Sequence, residues 1–266
     1  MASLSSFLRT APGRYALAWE QAQVDRVVSD IFGYHAVQLG LPEFDALREN
    51  RMPLRLAACD GWPLPEAAQL RPLALVTSFE ELPFATASID LVVLPHTLEF
   101  ATDPHQVLRE VDRILVPEGQ VVITGFNPAS LWGMRQALTR LGAHPYLPAE
   151  GEFISLARVK DWLKLLSFEV NRGRFGGYAP ALRREKWIAR CGLLEKAGDR
   201  WWPVLGAFTM ITAIKRVRGM RIIGPVRRSR EAVKPGVIAP AARVSSAVVR
   251  IADAKSQGAA IHTDQN

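Results

Sequence analysis

Apolar residues near the amino terminus recur at helical spacing. Leu17, Val24, Val27, Val28 and Ile31 form one stripe and predict a helix over Tyr15–Phe32 that stops at Gly33. From residue 35 the pattern changes to short apolar runs. These are His35–Gly40, Leu54–Cys59, Leu73–Thr77, Ile89–Leu94 and Gln120–Thr124. Runs of this kind suit parallel strands buried on both faces. Between the last two lies the best-signalled helix. Asp103 is its N-cap, Pro104 fills the first turn and Gln106 completes a capping-box pattern. Val107, Leu108, Val111, Ile114 and Leu115 form its apolar stripe, and Pro117-Glu118-Gly119 ends it. A helix over Leu156–Leu166 behind Ser155, a strand over Phe168–Val170, a helix over Arg183–Ala197 closed by Gly198, and a strand over Ala207–Ile214 follow. Alternating strands and helices of this kind predict an α/β fold. Its centre is a doubly wound, mostly parallel seven-stranded sheet with helical additions.

Composition narrows the class. The chain has 266 residues, 48% of them hydrophobic and 22% charged, which suits a folded α/β protein rather than a disordered one. The longest apolar candidate, Trp201–Ile214, contains Pro203 and Gly206 and falls short of the roughly 20 residues of a membrane helix. The segment MASLSSFLRTAPGR lacks a continuous apolar stretch, so no secretory leader is expected. Cys59 and Cys191 form no CxxC pair, which argues against a disulfide scaffold or structural zinc and places the chain in the cytoplasm.

Charge is unevenly placed. The net formal charge is +7, yet residues 215–266 hold 11 Lys and Arg against Glu231, Asp253 and Asp264, a net +8. The run from Lys215 to Lys234 has eight basic residues. It reads either as a solvated tail or as a weak contact for nucleic acid or an anionic membrane.

The block from residue 75 to 125 carries a resemblance. Glu80-Glu81-Leu82-Pro83-Phe84, Ser88-Ile89-Asp90, His96-Thr97-Leu98-Glu99-Phe100 and Arg113-Ile114-Leu115-Val116-Pro117-Glu118-Gly119 follow in order. Together they resemble the central motifs of class I S-adenosylmethionine-dependent methyltransferases of the type 11 branch. The resemblance implies a Rossmann-like methyltransferase fold and S-adenosyl-L-methionine as cofactor. It implies methyl transfer to an acceptor, small or macromolecular, that the motifs do not name. With the charge and periodicity above, the expected organisation is a helical cap (1–34), a methyltransferase-like domain (35–218) and a basic, partly disordered tail (219–266). A methyltransferase-like binding module without catalysis is the competing reading. A nicotinamide-dependent reductase shares the sheet but needs a G-x-G-x-x-G turn that is absent here.

In an open parallel sheet, ligands bind beyond the carboxyl ends of the strands, where strand order reverses. A nucleoside cofactor needs a tight turn after the first strand, a carboxylate after the second and bracketing groups after the third and fourth. The expected cofactor residues are Gly40, Asp60, Ser78, Phe79, Pro95 and His96. Each has a plainer reading: Gly40 and Asp60 as turn formers, Phe79 as a core aromatic, and His96 as a residue hydrogen-bonded to backbone. His96 is also the one candidate for a base or substrate-orienting group. The family usually carries three glycines in the first turn. Here Gly40-Leu41-Pro42-Glu43-Phe44 carries one, and Leu41 and Phe44 add bulk where the methionine part would lie. No metal site is expected, since His96 and Glu99 make only two ligands and His105 reads as a first-turn helix residue. Aromatic residues crowd the segments 1–34, 126–155 and 171–206, which suits acceptor binding or simple coverage of the sheet. The loop Arg172–Tyr178 reads as a candidate lid.

Overall fold

The computed structural model describes residues 2–60, 75–142, 144–148, 151–181 and 192–217. They belong to a compact unit spanning Met1–Gly219, while the remainder of the tail forms a second unit outside the described residues. The chain opens with two helices, α1 (Ala2–Leu8) and α2 (Ala11–Val28). The α2 helix begins four residues before the apolar stripe predicts, because Thr10 caps it by accepting from the Gly13 amide.

Seven strands follow: β1 (His35–Leu39), β2 (Leu54–Cys59), β3 (Leu75–Val76), β4 (Ile89–Pro95), β5 (Leu115–Phe126), β6 (Phe168–Gly176) and β7 (Phe208–Lys215). They make one sheet in the order β3-β2-β1-β4-β5-β7-β6. The first five are parallel, and β7 is antiparallel to both β5 and β6. The predicted doubly wound sheet is therefore present, with an antiparallel hairpin at one edge. Strand order reverses between β1 and β4, which fixes the crevice where ligands bind in such sheets.

Apolar cores cover both faces. One gathers Val24 and Val28 of α2 with Leu91, Val93 and Phe126 of the sheet; the other gathers Val92, Val121 and Ile123 with the apolar stripe of helix α4 (Pro104–Ile114). Between β4 and α4 lies the single turn α3 (Thr97–Phe100), and helices α5 (Leu131–Ala137), α6 (Leu156–Leu165) and α7 (Gly192–Trp201) complete the fold.

Some expectations change in detail. Asp103 caps α4 by accepting from the His105 and Gln106 amides, but Gln106 does not close a capping box. The Asp103 amide donates to Glu80 instead, and Gln106 Nε2 donates to the Glu80 carbonyl. The candidate lid Arg172–Tyr178 is mostly strand: β6 continues to Gly176, paired throughout with β7. Flexible-looking glycines mark close approach here, since a Cβ at Gly176 would lie 2.1 Å from the Trp19 ring. The predicted helix over Arg183–Ala197 lies partly outside the described residues. Its described part extends to Trp201, with Gly198 inside the helix rather than ending it.

Candidate active site

The crevice starts at the turn after β1. Gly40 has φ of 87°, a left-handed conformation that glycine adopts freely, and its amide donates to the Ala58 carbonyl at 2.8 Å. Leu41 follows at φ of 43°. The bulk that replaces two glycines goes into the core: Leu41 and Phe44 are buried in the cluster that contains Val24, Val28 and Met52. A residue of β1 shapes the turn from inside. The Gln38 amide Nε2 donates to the Gly40, Leu41 and Phe44 carbonyls at 3.0, 3.0 and 2.7 Å, and its Oε1 accepts from the Ala46 amide at 3.0 Å. One buried side chain thus does much of the turn-shaping that small residues do elsewhere.

At the end of β2, Asp60 is exposed, and burial followed by the charge of Glu80 raises its carboxyl above the usual range. The Asp-Gly-Trp-Pro turn beyond it lies outside the described residues. Glu43, in the β1 turn, raises the buried Cys59 thiol, an effect second to that of burial itself. Its Oε2 is buried without a hydrogen-bond partner. After β3, Ser78 is exposed and its hydroxyl accepts from the Glu80 amide at 3.3 Å. Phe79 is buried in the core with Leu82, Leu98 and Val107. Pro95 ends β4, opposite Thr124 of β5.

His96 follows at φ of 54° and is fully buried. Its partners are side chains rather than backbone. Nδ1 meets Glu99 Oε2 at 2.7 Å, and Nε2 meets Glu20 Oε1 of α2, also at 2.7 Å. Glu99 Oε1 accepts from the Phe126 amide at 2.5 Å. Burial alone would discharge the imidazole, but the charges of Glu20 and Glu99 and their hydrogen bonds push its pKa up to about 10. Burial raises Glu99 despite the opposing pull of His96. With both ring nitrogens occupied, the imidazolium ties α2 to the ends of β4 and β5. In the same turn, Thr97 Oγ1 donates to the Leu39 carbonyl at 2.5 Å, crossing from β4 to β1 at the point where strand order reverses.

The resembling motifs outside the crevice hold the frame. Arg113 donates to the Leu82 and Phe84 carbonyls at 2.8 Å each and pairs with Glu110, which accepts from the Leu82 amide. That fastens the Leu-Pro-Phe segment to α4. His105 packs on Trp162, ring centres 4.1 Å apart. Lys215 and Arg216 of the basic run are engaged with the body: Lys215 Nζ donates to the Leu115 carbonyl at 3.1 Å, and Arg216 pairs with Glu169 and Glu118. The rest of the run, from residue 218 on, lies outside the described residues. Among the described residues, no helix is long and apolar enough to cross a membrane.

Three site residues escape the sequence reading, and two of them left a trace. Gln38 interrupts an otherwise apolar strand. Glu20 falls three residues after Leu17 and four before Val24, on the apolar stripe of its own helix. Glu43 left no signal.

A family described as "Methyltransferase domain" matches residues 51–123. The uncharacterized protein YafS of Escherichia coli (strain K12) is 31% identical over 210 residues, which cover 79% of this chain and 80% of that protein. A malonyl-[acyl-carrier protein] O-methyltransferase of Methylovorus sp. (strain MP688) is 34% identical over 97 residues, 36% of this chain and 32% of the enzyme. Among solved structures, an S-adenosylmethionine-dependent methyltransferase of Thermotoga maritima superposes with a TM-score of 0.56 at 17% identity, covering 76% of this chain and 90% of that one. That last likeness concerns the fold.

Proposed function

Because this chain belongs to the class I S-adenosylmethionine-dependent methyltransferase family, we propose that it transfers a methyl group from that cofactor to an acceptor held beyond the carboxyl ends of β1 and β4. The observation that carries this reading is the pair of carboxylates left available beside the left-handed turn at Gly40: the exposed Asp60 and a buried Glu43 oxygen without a donor. An orphaned carboxylate oxygen is costly in a folded chain unless a ligand completes it. Hydroxyl and ammonium groups, both present on this cofactor, are donors of the right kind.

When bound, the cofactor supplies an electrophilic methyl on a sulfonium. The protein's task is alignment and exclusion of water, because charge disperses as the methyl moves and no protein nucleophile is required. Gln38 fixes the turn that the cofactor would approach. Asp60 would accept hydrogen bonds from the ribose hydroxyls, and the Ser78 hydroxyl would offer one at the adenine edge. Phe79 would back that edge from the core, and Pro95 would shape the wall facing the methyl group. His96 is a positioning residue, since its ring nitrogens are held by Glu20 and Glu99. An acceptor that must lose a proton therefore delivers it elsewhere. A cytoplasmic setting accords with the free, buried Cys59.

Isothermal titration with S-adenosylmethionine and S-adenosylhomocysteine tests the proposal. Micromolar binding, weakened at least tenfold by Asp60→Ala, is the expected outcome. Absence of heat at high protein concentration would leave the non-catalytic binding module standing.

A further inference from the structure

The outermost strand, β6, ends in a groove that carries both signs of charge. The groove encloses about 780 Å³ and draws its walls from three elements. Helix α2 gives Gln23 and Arg26, which share a face with Trp19 at helical spacing. Strand β6 gives Arg174, and α7 gives Glu195 and Asp199, one turn apart on one face. Arg174 donates to Gln23 Oε1 at 2.8 Å, which draws the strand's guanidinium to the α2 wall that carries Arg26. Both arginines are exposed, and neither has an ion-pair partner among the described residues. On the α7 wall, Glu195 already accepts from the Tyr178 amide at 2.9 Å. Asp199 is exposed and has no ion-pair partner among the described residues. Burial, then the charge of Asp199, pushes the Tyr178 hydroxyl up to about 12, so this carboxylate bears on the groove. Two cations on one wall and a carboxylate on another complement a ligand with an anionic and a cationic end. The strand adds a third element of recognition. β6 pairs only with β7, so its outer edge offers amides and carbonyls to an incoming chain. Asn171–Arg174 is exposed along it, and Gly173 brings no side chain to hinder approach. At 3.3 Å per residue, Gly173–Gly176 spans about 13 Å, the length of a tripeptide or tetrapeptide.

We propose that this groove takes a short extended peptide with free termini. Its carboxylate meets Arg26 and Arg174, its ammonium meets Asp199, and its backbone lies along the outer edge of β6. The site is distinct from the crevice of the methyl-transfer reading and does not depend on it. β5 and β6 both run antiparallel to β7, so the groove shares a rim of the sheet with the crevice. The packed rings of Trp19, Phe208 and Phe126 stand between the two.

The test is isothermal titration of the full chain at about pH 6.5, where both peptide termini are charged. The probes are the tripeptide Ala-Phe-Ala, its N-acetyl form, its C-terminal amide, and 8-aminooctanoate, which separates the same two charges without amide groups. The free tripeptide is expected to bind, and each of the other three to bind about fivefold more weakly. Arg26→Gln combined with Arg174→Gln is expected to weaken the free tripeptide by about the same factor and to leave the amide unchanged. Asp199→Asn is expected to weaken the free tripeptide and to leave the acetylated form unchanged. All three side chains are exposed, so these variants keep the core intact. The proposal is overturned if the free tripeptide gives no heat at millimolar concentration, or if all four probes bind equally. It is also overturned if the losses do not match each variant to its blocked terminus. S-adenosylmethionine titrated into the same samples reports the methyl-transfer reading separately, since none of the three substituted residues lines the crevice.

Discussion

Replacing Glu20 with alanine tests the arrangement around His96 most directly. Both side chains of the 2.7 Å pair are 1% exposed. Removing one partner of a buried pair costs about 3–5 kcal/mol, because the remaining charge loses its counter-charge and hydrogen bond. Part of that is offset, since Glu20 Oε2 is buried with no partner and its removal relieves an unmet polar group worth about 1–3 kcal/mol. Taking the middle of each range, the net expectation for Glu20→Ala is about 2 kcal/mol of destabilisation. In a body of this size that lowers Tm by about 4–8 °C. Glu20→Gln keeps an acceptor for Nε2 and should cost less than the alanine change. A pH signature separates this account from simple loss of packing. His96 binds its proton more tightly folded, at about 10, than unfolded, near 6.5. The stabilisation is therefore complete below pH 6.5 and disappears as pH climbs through about 10. Glu99, raised by burial, acts with the same sign from the acid side. Urea unfolding followed by tryptophan fluorescence, at intervals from pH 6 to 10, reads the His96 effect. The wild-type chain should lose stability across that window, and Glu20→Ala should lose less, because one of the two charges holding the proton is gone. A change below 0.5 kcal/mol, or parallel pH profiles, would refute the reasoning.

Other outcomes follow from single contacts. Gln38→Leu strands three carbonyls and one amide of the turn after β1, and should cost about 2–4 kcal/mol by chemical denaturation while weakening cofactor binding. Gly40→Ala forces a Cβ into φ of 87°, with an expected loss of about 1–2 kcal/mol in the same assay. Truncation after Gly224 should leave cofactor affinity by calorimetry within twofold, since Lys215 and Arg216 keep their partners on the body.

The sheet was legible because parallel strands buried on both faces write themselves as apolar runs, and because Asp103-Pro104 announces α4 in two residues. What the periodicity hid was set by contacts distant in sequence. Arg172–Gly176 reads as a glycine loop, yet it is strand, because β7 supplies its ladder and Trp19 needs the missing side chain at Gly176. The crevice was half legible. Asp60 and Gly40 sit at the strand ends where topology requires them. The turn's altered glycines looked obstructive only because a sequence does not say which way Leu41 and Phe44 point. His96 stood out as a titratable group beside the crevice, but its partners lie 76 residues upstream and three downstream.

That separation bears on biogenesis. Residue 20 leaves the ribosome before either half of its eventual clamp has been made, and Phe126, whose amide holds Glu99, is translated last. At about 5–20 residues per second the wait is roughly 5–20 s. Throughout it, the leading helix carries a carboxylate on its greasy side with nothing to neutralise it. Premature burial of that face is thereby discouraged, and docking becomes a late step that certifies a finished fourth and fifth strand.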